Sequence, residues 1–127
     1  MLLPFYLGPA YVGFPSPASD YMENPIDLNE HLIKNRTATF LLRAKGVSMI
    51  GACIADGAVL VVDRSMTPIH GDIVIASIDG DIVCKRLLLR PQAALKSEHP
   101  DYPPIMISDC ADVELMGKVT AVINQFK

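Results

Sequence analysis

The dipeptide Asp79-Gly80 lies between two apolar runs, "GDIVIASI" (Gly71–Ile78) and "DIVCKRLLL" (Asp81–Leu89), and it constrains the fold more than any other stretch. Both positions of a two-residue type I′ turn need positive φ, which Asp-Gly supplies, so the pair predicts a β-hairpin of fixed register. Ile78 then faces Asp81, Ala76 faces Val83 and Val74 faces Lys85. Side chains alternate across a strand, so Val74, Ala76, Val83, Lys85 and Leu87 share one side of the ribbon. Arg86 points to the other. A lysine is thereby set among apolar residues.

The same β-branched and apolar character marks Thr37–Ala44, Ala58–Asp63 and Asp112–Asn124, each bounded by turn residues. Ile26–Asn35, "IDLNEHLIKN", predicts one short helix, with Asp27 as its cap and Glu30 completing a capping-box pattern. Residues 1–25 are rich in proline and aromatics without a sustained period and read as an extended arm. The expected organisation is therefore an arm over 1–25 and one mainly β domain over 26–127. A chain of 127 residues holds one hydrophobic core.

Composition excludes several functions. Half the residues are hydrophobic, a fifth are charged and the formal net charge is −3, so no basic face for direct nucleic-acid binding is expected. "MLLPFYLGPAYVGF" is broken by Pro4, Gly8 and Pro9, and reads as neither a signal peptide nor a membrane span. Cys53, Cys84 and Cys110 are too scattered for a disulfide framework, and with His31, His70 and His99 they form no metal-ligand spacing. A cytoplasmic protein without metal or cofactor is the expectation.

Two residues stand out chemically. Burial disfavours the ammonium of Lys85, and lowering a lysine from about 10.4 to near 7 corresponds to roughly 4–5 kcal/mol. A neutral amine so produced acts as a general base. The plainer reading is a lysine whose stem is covered and whose amine snorkels to solvent. Ser48, in "AKGVSMIG", follows a predicted strand and the turn-permitting Gly46. It can present its hydroxyl to a cleft, with the backbone N–H groups of Ser48 and Met49 forming an oxyanion hole. The plainer reading here is a serine that caps a turn. From these residues alone, both pairs of readings stand.

The ordered set Gly46–Met49 ("GVSM"), Gly71–Val74 ("GDIV") and Val83–Arg86 ("VCKR") resembles the catalytic region of the UmuD family. These proteins are relatives of the LexA and phage-repressor self-cleaving domains. "GFPSPASDY" and "IDLNEHLI" resemble the family's arm and first helix, so the likeness runs from about Tyr11 to the end. The resemblance implies a twisted β-sheet domain of the LexA and signal-peptidase kind. It implies Ser48 as nucleophile and Lys85 as general base, cutting the chain's own arm at Val12–Gly13. It also implies a homodimer, stimulation by a RecA–single-stranded-DNA filament, and action of the processed protein with an error-prone, UmuC-like DNA polymerase subunit in the SOS response.

The chain departs from the pattern at three positions. Val12 stands where the family usually has Ala or Cys, Val47 where it often has Asp, and Ala58 where an acidic residue is common. The last two lie outside the dyad and read as changes of surface or partner contacts. Val12 is β-branched and stiff at χ1, which crowds an attacking nucleophile. It is also the feature that favours an alternative function, a non-cleaving accessory subunit that regulates the polymerase. The dimerisation half of a repressor would require an upstream helix-turn-helix domain, and a signal-peptidase relative would require a membrane anchor. Neither feature is expected here. The apolar stretch Val119–Ile123 reads equally as an interface element or as a core strand.

Overall fold

The computed structural model describes residues 1–6, 10 and 22–126. These divide into two compact units, Met1–Lys34 and Asn35–Lys127. In the first, strands β1 (Leu3–Tyr6) and β2 (Met22–Ile26) form an antiparallel pair, followed by helix α1 (Leu28–Leu32). The Asp27 carboxylate accepts the Asn29 N–H at 2.9 Å and so caps α1 as its sequence predicts. The helix is shorter than the expected Ile26–Asn35. Ile26 belongs to β2, and at the other end Ile33 is extended, with φ −114° and ψ 105°. β-Branched Ile33 and the nearby Asn35 are weak helix formers, and little in the sequence holds a further turn.

The second unit is one seven-stranded sheet of antiparallel pairs. Its strands are β3 (Thr39–Arg43), β4 (Val59–Asp63), β5 (Ile73–Ile78), β6 (Asp81–Leu88), β7 (Ala94–Lys96), β8 (Ile105–Met106) and β9 (Val113–Ile123). Their order across the sheet is β3-β4-β9-β5-β6-β7-β8. This mainly β architecture agrees with the expected fold class. Five strands fall on their predicted runs with ends shifted by one or two residues; β1, β2, β7 and β8 were not foreseen.

The hairpin forms in the predicted register. Ile78 pairs with Asp81, Ala76 with Val83 and Val74 with Lys85. Asp79 and Gly80 have φ of 49° and 94°, the two positive values that a type I′ turn requires. β9 lies between β4 and β5, its C-terminal half from Lys118 paired with β4 and its N-terminal half up to Lys118 paired with β5, and Val119 is buried in the core. Val119 thus serves the core, whereas Thr120 and Ile123 of the same stretch are exposed. Two register shifts kink β9, one opposite Val61/Val62 and one opposite Ile75/Ala76. Bulges of this kind bend a strand and increase its twist. Gly117 sits beside the second, where a Cβ would meet Val62 Cγ1 at 2.7 Å.

Alternation along β5 builds two cores, one on each face of the sheet. Ile75 joins Met49, Ile54, Leu60, Val62 and Val119 on one side, whereas Val74 and Ala76 join Leu87 and Leu95 on the other. Ala58 is only 3% exposed and belongs to the first cluster, so the expectation of a surface role for it is corrected. Val47 is exposed, as that reading requires. A small side chain at Ala58 suits a strand entry packed beside Met49 and Ile54.

The turn after β3 is fastened at one close contact. The Gly51 N–H donates to the Glu98 carbonyl at 2.9 Å, and a Cβ on Gly51 would lie 2.6 Å from that oxygen. The obstructing atom is backbone and cannot rotate away. Gly51→Ala is expected to destabilise the protein by about 1–3 kcal/mol, as overpacking does. Leu95→Ala, which empties part of the second core, should cost about 2–5 kcal/mol. Urea denaturation with a shared m-value measures both; a Gly51→Ala midpoint equal to wild type would refute the close contact.

Candidate active site

Ser48 is positioned by a loop closed at both ends. The Ala44 N–H donates to the Ala58 carbonyl and the Gly57 N–H returns to the Ala44 carbonyl, each at 2.8 Å. Within the loop, the Gly46 N–H donates to Asp56 Oδ1 at 2.7 Å, and Gly46 takes a φ of 94°. That left-handed backbone is open to glycine at little cost. Met49, 3% exposed, plugs the first core, and its carbonyl accepts the N–H groups of Ala52 and Ile54. The neighbouring Ser48 is left half-buried at the rim. Among the described residues, the Ser48 and Met49 N–H groups have no protein acceptor. They are free donors, as an oxyanion site needs.

Lys85 comes from the middle of β6. It is half-buried on the strand face whose next residue inward, Leu87, is fully buried. Burial pulls its amine below the ordinary lysine value, the adjacent Cys84 opposing this weakly. Cys84 points to the opposite core, where burial pushes its thiol up to about 11. No carboxylate lies within ion-pair distance of Lys85 Nζ among the described residues. Arg86, on the other side of the ribbon as predicted, donates from Nε to Glu98 Oε1 and from a terminal nitrogen to the Gly71 carbonyl, both at 2.5 Å.

Ser48 and Lys85 line one cleft of about 240 Å³, with Leu42, Ile54, Ile75 and Ile82 among its apolar walls. No hydrogen bond joins the two side chains in this state. The Lys85 amine instead donates to Ser97 Oγ at 2.5 Å, and it lies 5.9 Å from the centre of the Tyr102 ring. Neither Ser97 nor Tyr102 was singled out in the sequence. "LKSEHPDY" carries no periodic pattern, and its only clue is a three-residue strand too short to register as one.

The expected cleavage bond Val12–Gly13 lies outside the described residues. Among the described residues no three His, Cys, Asp or Glu side chains gather as a metal site, and no helix is long and apolar enough to cross a membrane.

Several known proteins resemble this chain over most of its length. The family model described as peptidase S24-like matches residues 4–120. Protein ImpA of Salmonella typhimurium is 46% identical over 124 residues, covering 96% of this chain and 83% of the relative. Protein MucA of Escherichia coli is 45% identical over 119 residues, covering 93% and 82%. The LexA repressor of Clostridium kluyveri is 30% identical over 122 residues, covering 95% of this chain and 59% of the repressor. On its motifs, its sheet and these relatives together, the chain belongs to the peptidase S24-like family of serine peptidases, among its UmuD-type members.

Proposed function

We propose that this protein is a self-cleaving serine endopeptidase of the SOS response, with Ser48 as nucleophile and Lys85 as general base. The observation that carries the reading is that Ser48 and Lys85 line one cleft with both apolar and charged walls, beside two unengaged backbone N–H groups. Residues 1–25 act as the arm that is cut and 26–127 as the catalytic and dimerisation domain.

In the proposed reaction the neutral Lys85 amine accepts the Ser48 hydroxyl proton as Oγ attacks the Val12 carbonyl carbon. The Ser48 and Met49 N–H groups receive the oxyanion. The C–N bond to Gly13 then breaks, and the proton held on Lys85 passes to the departing Gly13 amine. Water, deprotonated by Lys85, hydrolyses the Val12 ester and restores Ser48. For the first step the amine keeps one N–H on Ser97 Oγ and brings its lone pair within hydrogen-bond reach of Ser48. Catalytic hydrogen bonds that are poorly aligned at rest ordinarily tighten once the substrate is seated. The exposed Val47, Ile50 and Ile82 give the site an apolar margin suited to the arm's "YVGF".

The processed species Gly13–Lys127 would act as a cytoplasmic homodimer with a UmuC-like polymerase subunit, and a RecA–single-stranded-DNA filament would stimulate the cut.

The base must be neutral to act. Filament-independent cleavage should therefore rise about tenfold per pH unit below the Lys85 pKa, then level off. Intact-mass spectrometry over pH 7 to 11 should show a species beginning at Gly13, lost in Ser48→Ala and Lys85→Ala. A product that persists in either variant would refute the dyad. Val12→Ala should cleave faster, because it removes the χ1-restricted branch beside the attacked carbon; equal time courses would refute that account. If only Val12→Ala cleaves, the full-length chain acts as the accessory subunit.

A further inference from the structure

Ser97 has no place in the Ser48–Lys85 scheme, yet it is tied to it geometrically. Arg86 pairs with Lys96, Leu87 with Leu95 and Leu88 with Ala94. Continued by one residue, that register sets Ser97 directly opposite Lys85, and directly opposed side chains share a face. Ser97 is 2% exposed, and its Oγ accepts the Lys85 amine. A buried hydroxyl needs a partner, and here the partner is the base. The following residue, Glu98, receives the Gly51 N–H through its carbonyl, three positions beyond Ser48. Two consecutive residues thus hold the base through a side chain and the nucleophile's turn through the backbone.

The other groups near the amine differ in kind. Tyr102 presents a ring, with His99 edge-on to it. Cys84 faces the opposite core, and Glu98 is engaged by Arg86. Arg43 and Lys45 line the same cleft from the end of β3, and Arg43 donates to the Gly57 carbonyl. None of these supplies a carboxylate to the amine.

We propose that Ser97 is a positioning residue for the Lys85 base, its hydroxyl fixing the amine without providing a negative charge. This rests on the Ser48–Lys85 reading above. A carboxylate at the same place would favour the ammonium and keep the base protonated. The neutral oxygen holds one N–H of the amine and leaves its lone pair available for the Ser48 proton. Ser97 touches neither the attacked carbonyl nor the nucleophile, so it acts through Lys85.

The test is the pH profile of self-cleavage, followed by intact mass, in wild type, Ser97→Ala and Ser97→Thr. Ser97→Ala should lower the alkaline plateau about tenfold, the loss expected for one hydrogen bond to an ionisable group. Its midpoint should also move to lower pH, because a hydroxyl oxygen accepts more strongly from an ammonium than from an amine. A merely structural role would leave that midpoint in place. Ser97→Thr keeps the hydroxyl and should hold both plateau and midpoint near wild type. Superimposed alanine and wild-type profiles would overturn the positioning role alone, and so would equal losses in the alanine and threonine variants. A wild-type chain intact at every pH, with Val12→Ala intact as well, would remove the dyad and the positioning role together.

Discussion

The register of β5 against β6 is the constraint on which the rest of this domain depends. It is set at Asp79-Gly80, where two residues of positive φ reverse the chain in the hand that suits twisted strands. A slip of one residue would exchange the faces of the hairpin. Ile75 would leave the first core, Val74 and Ala76 would leave the second, and Lys85 would face away from its present neighbours. β5 is buried on both faces and paired on both edges, so each of its residues meets a fixed neighbour. The position of Lys85 thus follows from the same register that fills the hydrophobic core.

The second strand pair carries that order outward. β6 and β7 share three residue pairs, and the register they define reaches Ser97 just beyond the last of them. From there the backbone turns to offer the Glu98 carbonyl to Gly51. The loop bearing Ser48 is thereby tied to the sheet through the β3–β4 ladder and through Glu98, and Asn124 at the end of β9 bonds its Cys53 carbonyl and Ala55 N–H as well. A loop held only at its stem would let Ser48 wander, and an ångström of misplacement can cost a reaction about a hundredfold. The absent side chain of Gly51 is what allows the second attachment.

Much of this was legible in the sequence, for identifiable reasons. Strand runs of five or more β-branched and apolar residues announced β3, β4, β5, β6 and β9, and the Asp-Gly turn gave the register of Lys85. The "GVSM" loop and the "VCKR" strand pointed to Ser48 and Lys85, which the fold sets on one cleft. Ser97 was not legible, because β7 has three residues and no alternation long enough to read. Its role emerges only from the cross-strand register. Ala58 was misread for a related reason. A lone small residue after Asp56-Gly57 looks like loop surface until the Met49 plug covers it. The helix end was also missed, since a capping signal fixes where a helix starts and says little about where it stops.

Electrostatics explain why a hydroxyl, rather than an acid, suits the place behind the proposed Lys85 base. In a serine–histidine–aspartate site the carboxylate orients a base that is already neutral near pH 7, and it then stabilises the imidazolium that forms. A lysine begins from the opposite condition, since its amine is charged at neutral pH unless the surroundings oppose the charge. Any carboxylate within reach would reinforce the ammonium and remove the base. Partial burial opposes the charge, with the adjacent Cys84 working the other way to a smaller degree. What the site still needs is orientation without negative charge, which a buried serine opposite the lysine supplies. The anion present on the same segment, Glu98, points to the other face of the ribbon and is held there by Arg86. The Arg86 contact therefore keeps the acidic neighbour apart from the neutral anchor one residue before it.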